Sequence, residues 1–354
     1  MSITKPSLFP TKQTKIIATI GPATSSPEML EQLLLAGMNV LRINASHGDH
    51  EVHKEIIQNI RNLDEELGSN TSILVDLQGP KLRVGEIKGD EMELETGSEL
   101  RIRIGEEVGS NGVVYTNYES FAKDVKAGEP VLLDDGKLHL EVVSTDQKSE
   151  VVCKVIFGGT LKPRKGLNLP KTIISLPCIT KKDEIDLAFA LDQNVDWIGL
   201  SFVRNPNDIV QLREKIKEEQ KHARIVAKIE KPEAVANLDE IIEVTDAVMI
   251  ARGDLGVEIP MEEVPHIQRE IIEKCLSASR PVIVATQMME SMIESSTPTR
   301  AEVNDVASAV FEGTDAVMLS AETSVGKFPV HTVQAMCQII KKAEANNEKA
   351  FNER

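Results

Sequence analysis

The sequence predicts an α/β fold: a (β/α)8 TIM barrel with an all-β lid domain inserted after its third strand. Three observations carry this. Eight short runs of apolar, often β-branched residues recur along the chain. They are continuous rather than alternating, which is the pattern of parallel strands buried on both faces. Helical periodicity separates them in every interval but one. An open doubly wound sheet is the alternative arrangement of the same units.

The elements follow in order. Residues 16–20 form the first strand, Gly21-Pro22 the turn after it, and Ser26-Pro27 the N-cap and first position of a helix that Gly37 closes. Further strands are predicted at 39–44, 72–76, 196–202, 224–229, 246–251, 281–286 and 315–320. The interval 81–175 breaks the rhythm. Residues 91–104 alternate apolar and charged side chains, and Asp135-Gly136 sits between the apolar runs 131–133 and 138–143 as a tight hairpin turn. Loops at the C-terminal ends of barrel strands build the active site, so the insert is placed to act as a lid, with passive decoration as the alternative. Val330, Val333, Met336, Cys337 and Ile340 mark one face of a last helix, and a polar tail follows over 346–354. The predicted domains are a catalytic barrel over 1–80 and 176–354 and a β-rich insert over 81–175.

The chain has 354 residues, with 40 Lys and Arg against 56 Asp and Glu, a net charge of −16. Such a field repels nucleic acid and anionic lipid, so an anionic ligand must be held by a local group of cations. Small-molecule partners are favoured. Cys153, Cys178, Cys275 and Cys337 form no CxxC pair, which fits a reducing, cytoplasmic setting. Residues 1–12 have no apolar signal region, and no apolar run approaches the roughly 18 residues that span a bilayer.

Most predicted strands end in polar residues. Arg42-Ile43-Asn44-Ala45-Ser46-His47-Gly48 follows the second strand, and Asp76-Leu77-Gln78-Gly79-Pro80-Lys81-Leu82-Arg83 the third. Lys228-Ile229-Glu230-Lys231, Arg252-Gly253-Asp254, Thr286-Gln287 and Ser320-Ala321-Glu322-Thr323 end the fifth to eighth. On a barrel these share one rim. Lys228 and Glu230, two apart on a strand, point the same way. Burying them together is costly unless a ligand or metal completes the site. Glu230 and Asp254 are hard oxygen donors on adjacent strands, suited with substrate oxygens and water to Mg2+. Arg42, Arg83 and Lys228 supply the positive field for an anionic, phosphorylated substrate. Each residue alone could be a structural ion pair; their joint placement favours a site.

Other signals are weaker. His47, His50 and His53 have helical spacing for a metal, but no further ligand lies near them in sequence. Gly326-Lys327 lacks the first glycine and the following Ser or Thr of a P-loop, and no GxGxxG occurs. Ser46 and His47 are adjacent and point apart on an extended chain, so they make no triad. Met288, Met289 and Met292 read as packing.

With these segments assembled, the chain resembles the pyruvate kinase family from about Thr14 to its last residue. The resemblance runs through residues 42–48, the Gly79-Pro80 turn, 166–170, 228–231, 251–256, 285–292, 298–302 and 320–323. It implies transfer of the phosphoryl group of phosphoenolpyruvate to ADP, giving pyruvate and ATP, with Mg2+, or alternatively Mn2+, as cofactor. It also implies that Glu230 and Asp254 bind the metal and that Lys228 stabilises the phosphoryl group in flight. The amides of Gly253 and Asp254 at a helix start would hold the substrate carboxylate. Arg42, Asn44, His47, Arg83 and Lys182 fall where the family contacts phosphates or nucleotide. Thr286 lies beside the enolate, and either it or a linked water delivers the proton.

Two departures from the family pattern matter. Members that require K+ carry Thr, Lys and Glu where this chain has Leu77, Gln78 and Lys81, and Thr where it has Val84. K+ is therefore not expected to be required: the Lys81 ammonium would supply the unit charge inside a shell of Asn44, Ser46, Asp76 and Leu77. Ala45, where an aromatic is usual, has no derived consequence. Most members also continue into a C-terminal effector-binding domain. The expectation is an enzyme without that domain's sugar-phosphate site, and a monomer or a homodimer through the barrel domain. The competing hypotheses are another barrel acting on phosphoenolpyruvate or pyruvate, which has no need of the insert with Arg83 and Lys182, and a catalytically silent scaffold.

Overall fold

The structure is a computed structural model in which residues 8–352 are described, with side chains described to residue 346. The ends of the predicted domain boundaries and the end of the polar tail lie outside the described residues. In chain order the strands are β1 (Lys15–Thr19), β2 (Val40–Asn44), β3 (Ser72–Asp76), β4 (Met92–Leu94), β5 (Glu99–Ile104), β6 (Val113–Thr116), β7 (Pro130–Leu133), β8 (Leu138–Thr145), β9 (Glu150–Phe157), β10 (Gly159–Leu161), β11 (Leu167–Asn168), β12 (Trp197–Leu200), β13 (Arg224–Ile229), β14 (Ala247–Ala251), β15 (Val282–Ala285) and β16 (Ala316–Leu319). Two compact units divide them.

The first unit runs to Gly79, then Ile179–Gly253, then onward from Pro265. Its eight strands close in the order β1-β16-β15-β14-β13-β12-β3-β2, all parallel. The doubly wound alternative is thereby excluded. These strands are almost wholly buried, as continuous apolar runs require. Five predicted strands, those at 39, 196, 246, 281 and 315, began one residue early, and for three of them the reason is a side chain. Asp196, Asp246 and Asp315 stand just before β12, β14 and β16, where their carboxylates accept the N–H of Ile73, Ile225 and Val282 at 2.7, 2.8 and 2.9 Å. They cap the neighbouring strand instead of extending their own. The helix Pro27–Ala36 starts at Ser26, whose hydroxyl accepts from Met29 N–H, and stops at Gly37 in the left-handed region.

The second unit comprises Pro80–Cys178 and Asp254–Val264. A six-stranded sheet, β11-β7-β8-β9-β5-β6, and the pair β10-β4 surround a core that includes Leu100, Ile102, Phe121, Val131, Leu140 and Val155. The β7–β8 hairpin turns through Asp134, Asp135 and Gly136, all at positive φ, as Asp and Gly permit. Among the described residues no helix is long and apolar enough to cross a membrane.

Candidate active site

Along a barrel strand alternate side chains enter the barrel, so Leu74 and Asp76 share a face, as do Val226, Lys228 and Glu230. The lower members are apolar and the upper members charged. In the upper level Arg42 Nε and Nη2 donate to Asp76 Oδ2 at 2.9 and 2.6 Å, while Arg42 Nη1 donates to Thr19 Oγ1 at 2.9 Å. Lys228 Nζ lies 3.2 Å from Asp76 Oδ1 and 2.8 Å from Glu230 Oε1, and donates to Ser201 Oγ at 2.7 Å. Ser201 Oγ in turn donates to Leu77 O at 2.7 Å.

This network depends on a glycine. Asp76 and Lys228 are on β3 and β13, and β12 runs between them with Gly199 opposite Asp76. A Cβ on Gly199 would stand 2.8 Å from Asp76 Oδ1. Its absence opens the gap through which the ammonium reaches the carboxylate. Burial by itself would push the Asp76 carboxyl up; Lys228 and then Arg42 outweigh that and hold it below the ordinary carboxylate range. Two cations and two carboxylates are thus almost fully removed from water, an arrangement that apolar packing would replace at no loss of stability unless function needs it.

At the end of β15, Thr286 and Gln287 both have positive φ, 70° and 56°. For a β-branched residue this is strain of the kind found where geometry serves function. Thr286 Oγ1 accepts from Gly253 N–H at 2.7 Å and donates to Ala285 O at 2.6 Å. The amide expected to hold a substrate carboxylate therefore already has a hydroxyl partner. The Arg252 guanidinium grips both Asp305 oxygens, at 2.7 and 2.8 Å, and donates to Thr286 O at 2.9 Å, fixing this strained turn. Met288, Met289 and Met292 are fully buried, as packing residues.

Lys182 Nζ donates to Ala45 O and Asp186 Oδ2, both at 2.6 Å. His50 Nε2 lies 2.8 Å from Asp186 Oδ1, and its ring stacks on Phe189. Burial depresses the pKa of His53 below its ordinary value. His47 sits in the turn after β2, its N–H on Asn44 O. In the second unit, Arg83 donates to Arg164 O at 3.1 Å, and Lys81 Nζ pairs with Asp254 Oδ1 at 3.4 Å. In the first unit Asn44 Oδ1 accepts from Ser46 N–H, Asp76 is shared by Arg42 and Lys228, and Leu77 O accepts from Ser201.

Among the described residues no three His, Cys, Asp or Glu side chains form a ready-made metal cage. Glu230 and Asp254 belong to different units. Glu230 Oε2 accepts from Phe202 N–H at 2.9 Å, so that carboxylate is held in place, while the Asp254 side chain is 31% exposed. Each is a hard oxygen donor of the kind that Mg2+ takes.

Residues 11–333 match the model of the pyruvate kinase barrel domain. The chain belongs to the pyruvate kinase family. Pyruvate kinases from Bacillus licheniformis and Geobacillus stearothermophilus are 47% and 48% identical to it, over 97% and 94% of this chain and 59% and 57% of their own lengths. The pyruvate kinase of Clostridium perfringens is 47% identical over 95% of this chain and 71% of its own. A crystal structure of a pyruvate kinase from Cryptosporidium parvum superposes with a TM-score of 0.90 at 41% identity, covering 94% of this chain and 70% of that one. The chain thus spans less than three fifths of the length of the first two pyruvate kinases.

Proposed function

We propose that the chain transfers the phosphoryl group of phosphoenolpyruvate to ADP, giving pyruvate and ATP. The observation that carries this is the buried Arg42–Asp76–Lys228–Glu230 network at the C-terminal ends of the barrel strands. It supplies cations at fixed positions in a strongly acidic protein, which is what a multiply anionic substrate requires. Phosphoryl transfer asks for positioning and charge stabilisation more than covalent chemistry. Lys228, held by Asp76, Glu230 and Ser201, is preorganised to neutralise charge on the phosphoryl group in flight. Arg42 binds the same group from the opposite side of Asp76. Glu230 and Asp254 are the residues that would hold Mg2+, whose charge would offset that of the phosphate oxygens. Thr286 lies beside the enolate, where it or a linked water delivers the proton, and the Gly253 N–H that it now accepts would turn to the substrate carboxylate on binding. Asn44, His47, Arg83 and Lys182 contact nucleotide phosphates. The four cysteines, all free and buried, fit a cytoplasmic enzyme.

K+ independence belongs to the same proposal. Lys81 places a unit positive charge 3.4 Å from Asp254, and it is this charge, next to a metal ligand, that substitutes for a monovalent cation. Replacing K+ by tetramethylammonium should leave activity unchanged; loss of most activity would refute the substitution.

The deciding experiment is a coupled assay for pyruvate formed from phosphoenolpyruvate and ADP with Mg2+, run beside Lys228→Met. Turnover by the parent and its loss in the variant supports the proposal. Equal inactivity of both would instead make the chain a silent scaffold.

A further inference from the structure

The opposite, N-terminal mouth of the barrel departs from the usual construction. Barrel interiors are filled by layers of bulky side chains. Here the lowest layer includes Ala247 and Ala316, and a cavity of about 200 Å³ opens between Ile17, Leu74, Val226 and Ile283. Its wall is apolar. Engineered apolar cavities of about 150 Å³ stay dry and bind benzene, so one aromatic ring or a short alkyl chain fits this volume.

Trp197 borders the cavity and also lines an adjoining groove of about 510 Å³. The groove is lined by Arg224, Lys217, Lys221 and His222. The acids of this rim are spent: Asp196, Asp246 and Asp315 accept strand N–H groups, and Arg61 and Arg213 pair with the first two. Among the described residues Arg224, Lys217 and His222 make no ion pair, and Lys221 donates only to Asn194 Oδ1 at 3.3 Å. The Arg224 guanidinium lies 5.3 Å from the Trp197 ring centroid, a cation–π contact that leaves its N–H groups available. An apolar hole thus meets an uncommitted guanidinium across one indole ring, in a protein whose net charge is −16.

We propose that the N-terminal barrel mouth binds a small amphipathic monoanion, an aryl or short alkyl carboxylate, with its apolar body in the cavity against Trp197 and its carboxylate on Arg224. The site is separate from the candidate active site. Leu74 and Val226, which wall it, stand two residues below Asp76 and Lys228, about 6.6 Å along the strands.

Trp197 is the only tryptophan of the chain, so its fluorescence reports the site without reference to activity. Titrating the full chain with phenylacetate should give a saturable change. Arg224→Gln, at an exposed position, should weaken binding by about tenfold or more, and the neutral 2-phenylethanol should bind the parent similarly weakly. Ala316→Leu, which fills the cavity, should abolish the change; if that variant does not fold, Ala247→Val tests the same volume. Lys228→Met should bind normally. The proposal is overturned if no saturable change occurs at millimolar phenylacetate, if the alcohol binds equally well, or if Lys228→Met rather than Arg224→Gln removes binding, which would put the probe in the active site.

Discussion

Lys228→Met tests the buried network through two separate magnitudes. The lysine side chain is 9% exposed, and Asp76 and Glu230 only 1%. Removing the ammonium leaves these carboxylates unequal. Asp76 keeps two charge-assisted bonds from Arg42, at 2.6 and 2.9 Å, whereas Glu230 retains the Phe202 N–H at 2.9 Å. Breaking one partner out of a buried pair costs about 3–5 kcal/mol. The surviving Arg42 bonds put this case at the lower end, about 3 kcal/mol, with Met occupying the volume of the aliphatic stem. Catalysis should suffer more than stability. Loss of one preorganised charge at the transferring group lowers kcat by about 10²–10³-fold. The two effects separate in a coupled pyruvate assay run well below the urea midpoint, alongside urea unfolding followed by circular dichroism. Activity within about threefold of the parent, or an unchanged urea midpoint, would refute the electrostatic account.

Other perturbations probe the same geometry. Gly199→Ala forces a Cβ to within 2.8 Å of Asp76 Oδ1; turnover should fall by about tenfold or more while far-UV circular dichroism stays native, and full activity would remove the glycine gap from the mechanism. Asp76 has a folded-state pKa below its ordinary 3.8 because Lys228 and Arg42 overcome the effect of burial. The unfolded chain therefore binds more protons between the two values, so the stabilisation is complete above 3.8 and is lost as pH falls through the folded value. Asp76→Asn should flatten that part of the acid-unfolding curve at a cost in stability at neutral pH; an unchanged acid limb would contradict the assignment. Burial pushes the thiols of Cys153 and Cys275 up to about 12. Native protein at pH 8 should leave both unmodified by a disulfide-exchange reagent while urea exposes them, and rapid native labelling of either would count against this packing.

What could be read from the sequence and what could not divide along a physical line. Parallel barrel strands are covered on both faces, so their apolar runs are continuous and stand out, and all eight were legible. Helix limits such as Ser26 and Gly37 carry their own chemistry. Arg42, Lys228 and Glu230 were visible because a charge at the end of an apolar strand is conspicuous. Ser201 and Thr19 were not, since a hydroxyl at a strand end carries no such contrast, yet they bind the two cations at 2.7 and 2.9 Å. The left-handed turn at Thr286 and Gln287 was illegible for the opposite reason: neither residue type favours positive φ, and the conformation is imposed by Arg252 and the strand end.

The Asp76 network shows where strand-end reasoning reaches its limit. A list of polar residues at strand ends states which groups are available, and ion pairing is settled by closure of the barrel. Arg42 and Asp76 sit on neighbouring strands and can meet directly. Lys228 and Asp76 sit two strands apart and meet only because Gly199 between them lacks a side chain. Each Asp76 oxygen thus faces a cation, Oδ2 the Arg42 guanidinium and Oδ1 the Lys228 ammonium. Within its own unit Lys81 meets Asp254, 3.4 Å away, and the proposal is that its charge acts on a candidate metal ligand there. Asp254→Asn should accordingly lower Mg2+ affinity and also release Lys81, whereas Asp76→Asn should disturb Lys228 and leave the Mg2+ dependence of activity in place. Identical Mg2+ titrations for the two variants would show that these carboxylates do not divide the work in this way.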